Sequence, residues 1–139
     1  MTPSEILSHV DHTLLKPTAT WQDIEAICEE ALEYHTASIC IPSSYVKRIK
    51  ETYGDKLNIC TVVGFPLGYA NTDAKLAETE QALEDGASEI DMVINICDVK
   101  NGDYAKVTEE IRLLKNICGE KILKVIIETC FLTKEEKIA

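Results

Sequence analysis

Two charged residues stand in the middle of apolar runs. Asp91 interrupts the stretch Glu89–Asn95 (EIDMVIN), and Lys124 interrupts Leu123–Thr129 (LKVIIET). Burying either charge alone costs several kcal/mol, so each needs a partner. An acid and an amine held together away from bulk water can take up and return protons. The same two residues can equally be a structural ion pair, and the residue pattern leaves both readings open.

Side chains alternate along a strand, so polar residues two apart share a face. In the first strand-like run that face carries Asp11, Thr13 and Leu15, and in the second Ser38, Cys40 and Pro42. In the fourth it carries Glu89, Asp91, Val93 and Asn95, against Ile90, Met92 and Ile94; in the fifth it carries Lys124, Ile126 and Glu128. Each run thus has one apolar face suited to meet helices. The opposite face bears acid, amine, thiol or hydroxyl and would point into a closed barrel. His12 falls on the apolar face and reads as a packed, satisfied histidine rather than a catalytic one. The Gly64–Gly68 segment (GFPLG) reads as a turn, with a phosphate-cradling loop as the functional option. Lys16, after the first strand, reads as solvated.

The elements that must position these residues alternate along the chain. Thr2-Pro3 with Glu5 is a capped helix start. Strands are predicted at 10–15, 38–42, 59–65, 89–95 and 123–129. Helices are predicted at about 21–34, 43–52, from Asn71 or Thr72 to near Gly86, and at about 103–116. Thr133 and Glu136 form another capping box, so a fifth helix is expected to begin there and to be cut short. Strand–helix alternation means parallel strands with helical crossovers. The expectation is an α/β chain, residues 1–139 as a single domain, forming the N-terminal part of a (β/α)8 TIM barrel. A complete barrel takes ~250 residues. Five such units can also rearrange into a flavodoxin-like sheet of strand order 2-1-3-4-5.

Composition narrows the function classes. The chain is 45% hydrophobic and 27% charged with a formal net charge of −10, and its basic residues are scattered, which argues against nucleic acid. No apolar run reaches the ~18 residues of a membrane span. The N-terminus lacks a secretory pattern, so the cytoplasm is the default. The six cysteines, at 28, 40, 60, 97, 118 and 130, show no metal-ligand spacing with the three histidines and read as buried, reduced thiols.

Four segments, Asp11–Pro17 (DHTLLKP), Cys60–Gly68 (CTVVGFPLG), Gly86–Asn95 (GASEIDMVIN) and Leu123–Thr129, resemble the deoxyribose-phosphate aldolase family in sequence and order. The resemblance implies a class I aldolase on a TIM barrel that cleaves 2-deoxy-D-ribose 5-phosphate to D-glyceraldehyde 3-phosphate and acetaldehyde through a lysine Schiff base, without metal or other cofactor. Carried over residue by residue, Asp91 matches a proton-relaying aspartate and Lys124 a lysine lining the site. Asp11, Thr13 and Leu15 match pocket-lining residues, and Cys40 a cysteine near the substrate. Cys97 departs from the glycine common in the family after the fourth strand. The family's imine-forming lysine, in a Lys-Thr-Ser-Thr-Gly motif on strand 6, has no counterpart in this sequence. The partners expected are therefore a phosphosugar or aldehyde, and further copies of the chain through open strand edges. The alternatives are an inactive, self-associating half-barrel or an imine formed by Lys124 itself.

Overall fold

The computed structural model describes residues 1–139. It contains β1 (Asp11–Thr13), β2 (Ser38–Ile41), β3 (Ile59–Val63), β4 (Glu89–Val93) and β5 (Ile122–Ile126). The helices are α1 (Pro3–Leu7), α2 (Trp21–Tyr34), α3 (Val46–Tyr53), α4 (Thr72–Glu84), α5 (Ile96–Lys100) and α6 (Tyr104–Cys118). The strands are hydrogen-bonded in the order β1-β2-β3-β4-β5. That order is the barrel's, and it overturns the flavodoxin-like alternative: a doubly wound sheet would place β1 between β2 and β3. Each strand follows its predecessor through a helix, so consecutive strands lie side by side and parallel. No helix is long and apolar enough to cross a membrane.

Two compact units divide the contacts, residues 1–62 with 82–89 and residues 63–81 with 90–139. In the first, β1 and β2 pair in parallel, with Asp11 opposite Ser38 and Thr13 opposite Cys40. The register continues from Cys40 to Cys60 on β3. Regular geometry covers only three residues of β1, although the predicted strand was longer. The ladder nevertheless extends past both ends, since Ala37 N–H donates to Val10 O (3.0 Å) and Leu14 N–H to Cys40 O (2.9 Å). Every residue of β2 and β3 is buried, as strands covered on both faces should be.

Local sequence explains the helices of this unit. Thr20 and Asp23 close a reciprocal capping box at the start of α2, which satisfies two otherwise orphan N–H groups. Ile24, Cys28 and Ala31 recur at helical spacing and are the buried stripe. On α3 the buried residues are Val46 and Ile49, each contributing about 1.5–3 kcal/mol by leaving water. Lys50 and Asp55 pair at the end of α3, and Gly54 ends it at φ +62°, where a side chain would be strained.

In the second unit Asn71 Oδ1 accepts the Ala74 N–H at 2.9 Å at the head of α4. α5 is a helix that the strand reading of Asn95 conceals: the Asn95 side chain accepts from Cys97 N–H at 3.1 Å and serves as its N-cap. Cys97 therefore sits in a helix rather than in a loop. The Asn95-x-x-Asp98 spacing was the available signal. α6 packs Val107 and Ile111 against Ile94, Val99 and Leu132. Both hydrogen bonds of the Thr133–Glu136 capping box form, at 2.7 and 3.2 Å, and close a turn.

Candidate active site

Asp91 and Lys124 come together. Lys124 Nζ lies 3.2 Å from Asp91 Oδ1 across the β4–β5 pair. Asp91 Oδ1, itself enclosed, accepts no hydrogen bond. The contact is therefore coulombic. The Asp91 side chain is 15% exposed and that of Lys124 35%, so the acid is mostly covered while the amine reaches solvent. An acid with an uncommitted oxygen beside a reachable ammonium can accept a proton from a bound hydroxyl or return one to carbon.

The first unit holds the other four candidates, Asp11 and Thr13 on β1, Leu15 just after it and Cys40 on β2. Asp11 Oδ1 accepts from Ser38 Oγ at 2.7 Å. Thr13 is exposed, and its hydroxyl donates to the Asp11 carbonyl at 2.8 Å. Cys40 packs with Cys60 and Val62, and Leu15 lies against them. His12 points the other way, its Nε2 2.6 Å from Glu30 on α2. It is satisfied, as its position on the helix-facing side required, but it is half-exposed rather than packed.

Of the six cysteines, Cys28, Cys40, Cys60 and Cys118 are buried. Burial pushes the Cys28 thiol up to about 12 and raises that of Cys118 as well, which keeps both protonated and inert. Cys97 and Cys130 are exposed, contrary to the expectation that all six are buried. The Cys130 thiol donates to Glu128 at 3.3 Å, and that hydrogen bond is the main reason its ionisation is displaced upward.

Sequence reasoning missed a second lysine–carboxylate pair. Lys75 on α4 is completely buried, and its Nζ donates to Glu110 Oε1 on α6 at 2.6 Å and to the Val93 carbonyl at 2.8 Å. Thr72 Oγ1 donates to the other Glu110 oxygen at 2.9 Å. The inward face of α4 reads half-buried Thr72 and buried Lys75, Thr79 and Ala82, which helical periodicity assigns to solvent. The sequence carried no signal of it; the structure alone shows that an added Cβ at Gly64 would lie 2.7 Å from Lys75 Cε.

The strand order and helical crossovers define the N-terminal part of a (β/α)8 barrel, with an acid–amine pair on adjacent strands. Comparison with known proteins makes the assignment specific. The DeoC/LacD family aldolase model matches residues 6–139, and the chain belongs to that family. It is 73% identical, over all 139 of its residues, to a deoxyribose-phosphate aldolase of Clostridium botulinum (strain Alaska E43 / Type E3), of which it covers 63%. It is 59% identical over 138 residues to one of Streptococcus pyogenes serotype M4, covering 62% of that protein. The chain thus spans less than two thirds of the length of these curated relatives. Among solved structures, a putative deoxyribose-phosphate aldolase from Coccidioides immitis superposes with a TM-score of 0.93 at 37% identity, over 99% of this chain and 55% of that one. A tetrameric deoxyribose phosphate aldolase from Aeropyrum pernix gives 0.84 at 30% identity, over 97% of this chain and 57% of that one.

Proposed function

We propose that this chain supplies the proton-handling wall of a class I aldolase site that cleaves 2-deoxy-D-ribose 5-phosphate reversibly to D-glyceraldehyde 3-phosphate and acetaldehyde. The observation that carries this is the Asp91–Lys124 contact, 3.2 Å long, with an enclosed carboxylate oxygen that accepts no hydrogen bond. A lysine amine condenses with the open-chain aldehyde and releases water. The resulting iminium draws in the electron pair of the C2–C3 bond as the C3 hydroxyl loses its proton. Asp91, through water, takes that proton and returns one to C2 of the enamine. Lys124, 3.2 Å from Asp91, lends positive charge where negative charge is being moved. Hydrolysis of the iminium then frees acetaldehyde. To Asp11, Thr13, Leu15 and Cys40 we assign the role of substrate contacts, and no cofactor or metal enters the scheme. Copies of the chain associate through strand edges; a clean monomer in light scattering at high concentration would remove that part.

The test is a fusion of this chain to the segment that completes the 73% identical Clostridium botulinum relative. The fusion should cleave the phosphosugar and be trapped by borohydride as a stoichiometric adduct. Asp91→Asn should lower kcat by about 10²–10⁴-fold, the range for lost general acid–base help, with KM little changed. A fusion that folds cooperatively and neither cleaves nor is trapped would overturn the reading. Full activity in Asp91→Asn would remove Asp91 from it.

A further inference from the structure

Of the buried polar residues in the second unit, Thr79 bonds within its own helix, its Oγ1 donating to Lys75 O at 2.8 Å, whereas Lys75 reaches beyond it. Lys75 extends across the layer between α4 and α6 and ends on the carbonyl of Val93 at 2.8 Å. The peptide group that owns this carbonyl also owns the Ile94 N–H, which donates to Ile126 O on β5 at 3.1 Å. One peptide unit therefore receives a buried ammonium on one side and joins β4 to β5 on the other. It lies two residues beyond Asp91, and its partner Ile126 lies two residues beyond Lys124. Side chains two apart share a strand face, so the link fixes the register at which Asp91 and Lys124 meet.

The surroundings are packed closely around that peptide. Gly68 sits against the next peptide and the Val93 side chain, so close that an added Cβ would be 2.0 Å from Ile94 O and 2.9 Å from Val93 Cγ1. Gly64 leaves room for the Lys75 stem, and its N–H donates to Glu78 Oε2 at 2.9 Å. Glu110 supplies the counter-charge, and Thr72 binds its second oxygen. A buried lysine can be neutralised by one carboxylate alone. This lysine goes further and places a charge-assisted hydrogen bond on a strand carbonyl, a bond roughly twice as strong as a neutral one. Donation to the carbonyl also polarises the N–H of the same peptide and strengthens its bond to Ile126.

We propose that Lys75, held by Glu110, is a positioning residue for the Asp91–Lys124 pair, acting through the Val93–Ile94 peptide. The proposal deepens the reading of that pair as the proton-handling site and rests on it for its functional meaning; the coupling itself does not require the pair to be catalytic. A merely structural role would have the two charges serve only to tie α4 to α6.

The experiment uses nuclear magnetic resonance on the full 139-residue chain. The wild type should show a through-hydrogen-bond coupling between Lys75 Nζ and the Val93 carbonyl carbon. The double variant Lys75→Met/Glu110→Leu removes both charges together, a replacement that usually preserves folding. In it, exchange of the Ile94 amide should speed up about tenfold or more relative to the rest of β4, as expected for the loss of a hydrogen bond from a charged donor. The Asp91 carboxyl carbon resonance should shift. Arg112→Met, which breaks the exposed Arg112–Glu109 pair on α6, should move neither signal. An Ile94 amide and an Asp91 resonance unchanged in a folded double variant would overturn the proposal, leaving the pair as helix-to-helix packing. Should the double variant not fold, absence of the coupling in the wild type would overturn it alone. If Ile94 and Asp91 respond while the fusion shows no aldolase chemistry, the coupling stands and only the aldolase reading falls.

Discussion

Two lysine–carboxylate pairs lie within the same unit, and they are built in opposite ways. Lys75 and Glu110 are sealed, their side chains 0% and 6% exposed, and both carboxylate oxygens accept hydrogen bonds. Asp91 and Lys124 sit on a strand face, with the amine 35% exposed, and the Asp91 oxygen facing the amine accepts no hydrogen bond. The first arrangement suits a fixed support. Its charges have no water to fall back on, so the geometry must be complete. The second leaves one enclosed acceptor without a hydrogen bond, an exception to the usual pairing of buried polar atoms. The two charge pairs thus differ in whether their hydrogen bonds are already used.

The largest effect should separate the pairs. Lys75→Met alone strands the buried Glu110 carboxylate and should cost about 3–5 kcal/mol in denaturant unfolding, whereas the double variant Lys75→Met/Glu110→Leu should recover most of it. Asp91→Asn, which breaks the half-exposed pair, should cost about 1 kcal/mol at most. Equal losses for Lys75→Met and Asp91→Asn would break the comparison. Next in size is Gly68→Ala. At φ +75°, with Ile94 O 2.0 Å from the new Cβ, it should cost about 2 kcal/mol or more. It should also disturb the Ile94 and Asp91 signals, whereas Gly102→Ala, at similar φ but with nothing near its Cβ, should leave them alone.

The smallest effect belongs to the exposed caps and sharpens the contrast with both pairs. The Asp23 carboxyl is held below its ordinary value, chiefly by the Thr20 backbone N–H and then by the Thr20 hydroxyl. A carboxyl depressed in the folded state adds stability above its unfolded value and loses it as the pH falls toward the folded one. The melting temperature should therefore decline between about pH 5 and pH 3, the range in which carboxylates titrate. Asp23→Asn should make that decline slightly shallower. An unchanged slope would show that the cap contributes no pH dependence.

The sequence by itself determined the alternation of elements, the capped helix starts at Thr2 and Thr20 and the pairing of Asp91 with Lys124. These are local matters: capping chemistry acts over three or four residues, and a charge within an apolar run shows its need for a partner wherever that partner lies. The same local logic hid α5, because Asn95 continues the alternation of β4 as readily as it caps a helix. What only the tertiary structure decided was the strand order and the place of Lys75. The flavodoxin-like and barrel orders use the same elements, and a choice between them rests on which strand edges meet in space. On α4, the face Thr72, Lys75, Thr79, Ala82 looks made for water. It faces inward because Glu110, 35 residues further on, and the Val93 carbonyl satisfy the ammonium, and periodicity records polarity but not the partners that make a polar side chain fit to bury.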